Sequence, residues 1–177
     1  TPATTMKIFI ALLFALFLGG CAAYNGRGLQ PGISNLDDIQ RTMGEPAIRW
    51  RQTGGGERLA YPRGPAGFHT FMVETDKNGI LLNLENVLEP KHFARLREGM
   101  NQDEVLRIIG PPQPHWTVYF EARDELVWEW RYCDDYAEPA RFDALFDNTS
   151  GKLRTTMSRP ESTALQVGRD RREWCSR

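Results

Sequence analysis

The sequence predicts an α+β protein of two tandem copies, each with short helices packed on one face of a three- to four-stranded antiparallel sheet. Three observations predict it. A capped-helix motif ending in glycine and proline occurs twice at one constant offset. β-prone runs bounded by turn residues follow each motif. The loops between those runs are short, and short loops join neighbouring strands antiparallel.

The repeat pairs Asn35 with Asn101, Asp38 with Glu104, Ile39 with Val105, Arg41 with Arg107, Met43 with Ile109, Gly44 with Gly110, Pro46 with Pro112 and Trp50 with Trp116. Leu29 and Gly32 precede the first copy as Leu96 and Gly99 precede the second, with one extra residue between Gly32 and Asn35. Each asparagine is an N-cap, whose side-chain oxygen accepts from a first-turn amide. An acid three residues on favours the positive helix end and, as Glu104, completes a capping box. Apolar residues at Ile39 and Met43, and at Val105, Ile108 and Ile109, have helical spacing. Gly44 and Gly110 end the helices after about two turns, and the following prolines prevent continuation.

In the first copy, Glu57 to Tyr61, Thr70 to Glu74 and Ile80 to Leu84 read as strands, the last two joined by a turn at Asp76 to Gly79. In the second, a short helix from about Pro90 to Arg97 precedes the capped one. Strands then follow at Trp116 to Phe120, Leu126 to Tyr132, Arg141 to Phe146 and Lys152 to Thr156, with a turn at Asp147 to Gly151. Alternation puts Leu126, Trp128, Trp130 and Tyr132 on one face and Glu129 and Arg131 on the other. Trp128, Trp130 and Tyr132 are core beneath the helices or, if that face is uncovered, a partner-binding platform. Core is the preferred reading. The glycine run at Gly54 to Gly56 lacks the phosphate-loop pattern and reads as a hairpin loop.

The chain begins with targeting language. Lys7 is the one charge before an apolar run from Ile8 to Leu18, followed by Gly19, Gly20 and Cys21. A basic start, an apolar stretch of about 7–15 residues and small residues at the cut define a secretory signal. The run is short of the about 20 apolar residues that span a membrane. Leu18-Gly19-Gly20-Cys21 resembles the bacterial lipobox, which implies cleavage between Gly20 and Cys21 and a diacylglyceryl group on Cys21. The expected divisions are a signal over 1–20, with 1–5 upstream of a start at Met6, and a lipidated tether over 21–28. The two copies follow at 29–89 and 90–158, and a polar, partly disordered tail at 159–177.

The 22 basic and 23 acidic side chains nearly cancel, so nothing in the charge argues for nucleic acid. With Cys21 acylated, Cys133 and Cys175 remain. They are two free thiols or, as an exported even pair in an oxidising compartment, a disulfide, which is the prediction.

The residues Gly99 and Met100 before the Asn101 cap, Glu104-Val105, Gly110-Pro111-Pro112, the run Trp128 to Tyr132, and Phe142 through Gly151 resemble the SmpA/OmlA/BamE family of outer-membrane lipoproteins. That resemblance implies two short helices on a three-stranded antiparallel sheet, a place on the periplasmic face of the outer membrane, and company with the barrel-assembly machinery. Ala22 after Cys21 fits outer-membrane retention. The duplicated architecture also resembles the β-lactamase inhibitor protein. Copy two matches well, whereas copy one departs in its strands.

Catalytic patterns are missing from the sequence. His69, His92 and His115 have no metal-ligand spacing, though His69 in its glycine-rich loop is the one best placed to approach a site. Neither a nucleophile elbow nor a catalytic-cysteine signature occurs, and Asp134-Asp135 reads as a solvated turn. The expectation is a non-enzymatic scaffold or interaction module with no cofactor beyond the lipid on Cys21. Its partners would be the membrane and an envelope protein, with no nucleic acid. The alternative is an inhibitor or binder of an envelope enzyme.

Overall fold

A computed structural model of the chain describes residues 25–63, 67–161 and Cys175. The element order is α1 (Leu36–Met43), β1 (Ile48–Arg51), β2 (Glu57–Pro62), β3 (Thr70–Thr75), β4 (Leu81–Asn86), α2 (Pro90–Phe93), α3 (Gln102–Ile109), β5 (Val118–Phe120), β6 (Glu125–Cys133), β7 (Pro139–Asp147) and β8 (Lys152–Pro160). Strands dominate. They form two four-stranded antiparallel sheets, ordered β1-β2-β3-β4 and β5-β6-β7-β8.

Both capped helices form where their punctuation places them. Asn35 Oδ1 accepts from the Asp38 amide at 3.0 Å while Asp38 accepts from the Asn35 amide at 3.0 Å. Asn101 and Glu104 repeat the exchange at 2.9 Å and 2.7 Å. Gly44 and Gly110 follow with φ of 83° and 75°, a region that favours glycine, and stop the helices. The same frame ties each cap to the start of the last strand in its half. Gly32 donates to the Leu81 carbonyl and Leu81 to that of Ser34, both at 2.8 Å; Gly99 donates to Leu153 at 2.8 Å and Leu153 to Met100 at 2.7 Å.

Four local expectations are corrected. Ile48–Arg51 is a strand, pairing with β2 from Ile48↔Ala60 to Arg51↔Glu57, so the first sheet has four strands. Trp116 lies in a 3-10 turn begun by Pro114, whose fixed φ suits a turn, and β5 starts only at Val118. The helix expected from Pro90 stops at Phe93. β8 runs on to Pro160 because β7 offers partners as far as Ala140, so the polar tail begins inside the sheet.

The apolar interior falls into three clusters. Ile39 and Met43 of α1 meet Leu59, Tyr61, Phe71 and Val73 of the first sheet. Val105 and Ile109 of α3, with Phe93 of α2, meet Trp130, Tyr132, Phe142, Ala144 and Phe146 of the second. The third cluster joins the halves: Trp50, Ala60, Met72 and Val87, with Ile48 and Leu106 against them. Leu59 and Ala60 are successive strand residues and so point to opposite faces. The first sheet is therefore apolar on both faces, where helices on one face only were expected, and Leu106 puts α3 against the second of them. Among the described residues no helix is long and apolar enough to cross a membrane.

Candidate functional site

Gly20, Cys21 and the rest of the targeting segment lie outside the described residues. The other two cysteines are bonded to each other: Cys133 and Cys175 have an Sγ–Sγ distance of 2.15 Å and a Cα–Cα distance of 5.4 Å.

The aromatic strand packs mostly as core, the preferred of the two readings. Trp130 and Tyr132 are 1% and 5% exposed, and Trp128 is half-buried against the same cluster. Phe93 stacks on Phe142 at 3.9 Å and meets Tyr132 edge-on at 4.9 Å, so α2 covers the Tyr132 end of the aromatic face.

The opposite face of β6 and β7 is where charge has been brought together. Glu129 and Asp143 are 8% and 5% exposed. Arg141 and Arg159 both donate to Glu129, and Arg159 Nε also donates to Asp143 Oδ2 at 3.0 Å. Arg131 grips Glu161 through two bonds, at 2.6 Å and 3.0 Å, and Arg141 reaches Glu161 at 3.4 Å. Three guanidiniums thus meet three carboxylates. The strand register explains the pattern. Glu129 stands directly opposite Asp143, and Arg141 opposite both Arg131 and Arg159. Like charges opposite one another repel, so the favourable pairs run along the diagonals. Two rings roof the arginines: Trp116 lies 3.7 Å from the Arg141 guanidinium carbon and Phe68 lies 4.1 Å from that of Arg131.

Two acids of this network, Glu129 and Glu161, titrate in opposite senses. Burial, followed by hydrogen bonding to Asp143, pushes Glu129 up. Burial alone would raise Glu161 too, but the Arg131 hydrogen bond and the charges of Arg131 and Arg141 outweigh it and hold Glu161 below its ordinary value. The arrangement acts as a clamp. Glu161 fastens the end of β8 to Arg131, and two residues along β6 Cys133 is bonded to Cys175. Sequence reasoning placed Glu129 and Arg131 on one face but missed Arg141, Asp143, Arg159 and Glu161. The legible signal was alternation: Arg141 and Asp143 interrupt the apolar β7 at period two.

The remaining candidates are dispersed. His69 stacks on Phe71 at 5.8 Å, and burial lowers its pKa. His92 is buried in α2 with Nε2 3.3 Å from Glu85, and burial lowers it as well. His115 is exposed in the turn before β5. Asp134 organises the β6–β7 turn by accepting from the Tyr136 and Glu138 amides at 2.9 Å. Among the described residues no three His, Cys, Asp or Glu side chains are grouped to hold a metal.

Compared with known proteins, the chain matches no family model, no curated protein and no solved structure.

Proposed function

We propose that the chain is an exported lipoprotein working without catalysis, as a scaffold or interaction module in envelope maintenance or outer-membrane protein assembly. The observation that carries this reading is the Cys133–Cys175 disulfide. Structural disulfides persist in oxidising compartments such as the periplasm. The pairing also leaves Cys21 as the third cysteine, immediately behind Lys7, the apolar run and Gly19-Gly20. A diacylglyceryl group there would supply two chains, enough for stable anchoring where one is marginal. Ala22 and the likeness to the SmpA/OmlA/BamE family favour the periplasmic face of the outer membrane.

The body behind the anchor is read as two tandem units of helix on sheet. Support comes from the matching capping boxes and the matching ties from Gly32 to Leu81 and from Gly99 to Leu153. Tethering raises the effective concentration of such a body near other envelope proteins, with the barrel-assembly machinery the favoured neighbour.

Membrane fractionation of the native chain and of Cys21→Ser, with metabolic labelling by an alkyne fatty acid, tests the reading. Labelled native protein in the outer-membrane fraction and unlabelled C21S in the soluble fraction are expected. Equal membrane association of the two overturns it.

A further inference from the structure

The junction of the two halves carries a cleft of about 440 Å³. Its walls come from separate elements: Arg51 at the end of β1, the hairpin loop Gln52 to Gly54, Arg58 of β2, Arg95 after α2 and Arg107 in the last turn of α3. Four guanidiniums thus line one cleft, with Glu74 as the single lining acid.

The internal pairing leaves charge over. Arg58 is committed, since it bonds Glu74 and donates through Nε to the Arg107 carbonyl at 2.7 Å. Arg107 is committed to Asp103 at 2.6 Å and lies over the Trp50 ring at 5.5 Å. Among the described residues the guanidiniums of Arg51 and Arg95 make no hydrogen bond or ion pair. Both side chains are exposed and so are screened by water, but no carboxylate neutralises them, which leaves both guanidiniums available to an anion.

We propose that this cleft binds a phosphoryl group, held between Arg51 and Arg95 with the Thr53–Gly54 hairpin loop at its side. The charge argues for phosphate over carboxylate. A phosphomonoester carries about −1.5 to −2 at neutral pH and three acceptor oxygens, which suits two spare guanidiniums approaching from different elements. A carboxylate carries a single charge and is satisfied by one fork. The size lies within the roughly 300–1,000 Å³ of small-molecule sites. The Arg58–Arg107 bond crosses from the first sheet to α3 and ties two walls of the cleft together. The proposal does not depend on the lipoprotein reading.

Titration calorimetry at low ionic strength with inorganic phosphate tests it, on the native chain, on Arg51→Gln/Arg95→Gln and on the charge-matched control Arg27→Gln/Arg97→Gln. Saturable binding, at least tenfold weaker in R51Q/R95Q and unchanged in the control, is expected. A second arm measures Cys21→Ser, with and without R51Q/R95Q, on vesicles of phosphatidylglycerol or of phosphatidylcholine alone. Binding to the anionic vesicles that the arginine substitutions abolish, with no heat from inorganic phosphate, identifies the phosphoryl group as a lipid headgroup's. Equal weakening in the control pair, competition by acetate as effective as phosphate, or binding in neither arm overturns the proposal. Thermal melts that coincide for native and R51Q/R95Q chains show that lost binding is not lost fold.

Discussion

The indole N–H of Trp50, in the first sheet, donates to Asp103 Oδ1, in the first turn of α3, at 3.0 Å. Trp50 is 6% exposed and packs with Ala60, Met72 and Val87, with Leu106 of the same helix against them. One helix therefore serves two cores, through Leu106 and Asp103 toward the first sheet and through Val105 and Ile109 toward the second. Trp50→Phe keeps most of the apolar contact and removes the bond, so it is expected to cost about 1 kcal/mol. Because α3 is shared, calorimetry should show a single transition for native and W50F chains. Two separated transitions in the native chain would show that the halves unfold independently.

The two asparagine caps should respond alike. Asn35→Ala and Asn101→Ala each remove the acceptor for a first-turn amide, at about 1 kcal/mol apiece in urea unfolding. The sites lie in different halves and share no partner, so the double variant should show the sum. Clear non-additivity would reveal coupling through the junction.

Glu129 is the centre of the charged face. Glu129→Ala leaves Arg141 and Arg159 without their common acceptor at a site 8% exposed, and such a loss costs about 3 kcal/mol. Arg41→Ala on the helix surface, which breaks the exposed pair with Asp38, should change stability by under about 1 kcal/mol. Similar values for both in urea titrations would mean that the network adds nothing beyond surface charge.

The disulfide joins residues separated by 42 positions. Closing a loop of that size lowers the entropy of the unfolded chain by an amount worth roughly 4 kcal/mol. Cys133→Ala/Cys175→Ala should lower the unfolding midpoint accordingly. A midpoint unchanged by the double substitution would mean that the bridge closes no loop in the unfolded chain.

Tyr61 supplies an alkaline limit. Burial pushes its phenol up from 10.0 to about 12, against the nearby Arg49 and Arg63 charges. The folded state holds the proton more tightly than the unfolded one. The associated stability is complete below pH 10 and is lost as pH rises through about 12. Tyr61→Phe removes the ionisation, so its stability should fall less between those values. Parallel curves for the two chains would assign the alkaline loss to other groups.

Much of the local structure was legible because it is written in short-range chemistry. Asn35 and Asn101 with their acids start helices, Gly44 and Gly110 stop them, and Asp76 to Gly79 and Asp147 to Gly151 turn between strands. β1 was not legible. Its run of four residues carries two arginines, and Ile48 and Trp50 are apolar on a face whose partner lies in the other half. The continuous run Thr70 to Val73, buried at every position, was the clue that the first sheet is covered on both sides. The extension of β8 was hidden because its last residues are polar and are held by β7 rather than by their own propensity.

What the sequence determined by itself are features that depend on neighbours along the chain: the two capped helices, the turns, most of the strands and the faces of β6. Only the tertiary structure decided which faces are covered and which charges meet. Glu129 meets Arg141 and Arg159 only once β7 and β8 are laid beside β6, and Arg51 and Arg95 share a cleft only because α3 docks on the first sheet. Burial and charge pairing depend on distance through space, and residues far apart in the chain reach such distances only once the core has formed.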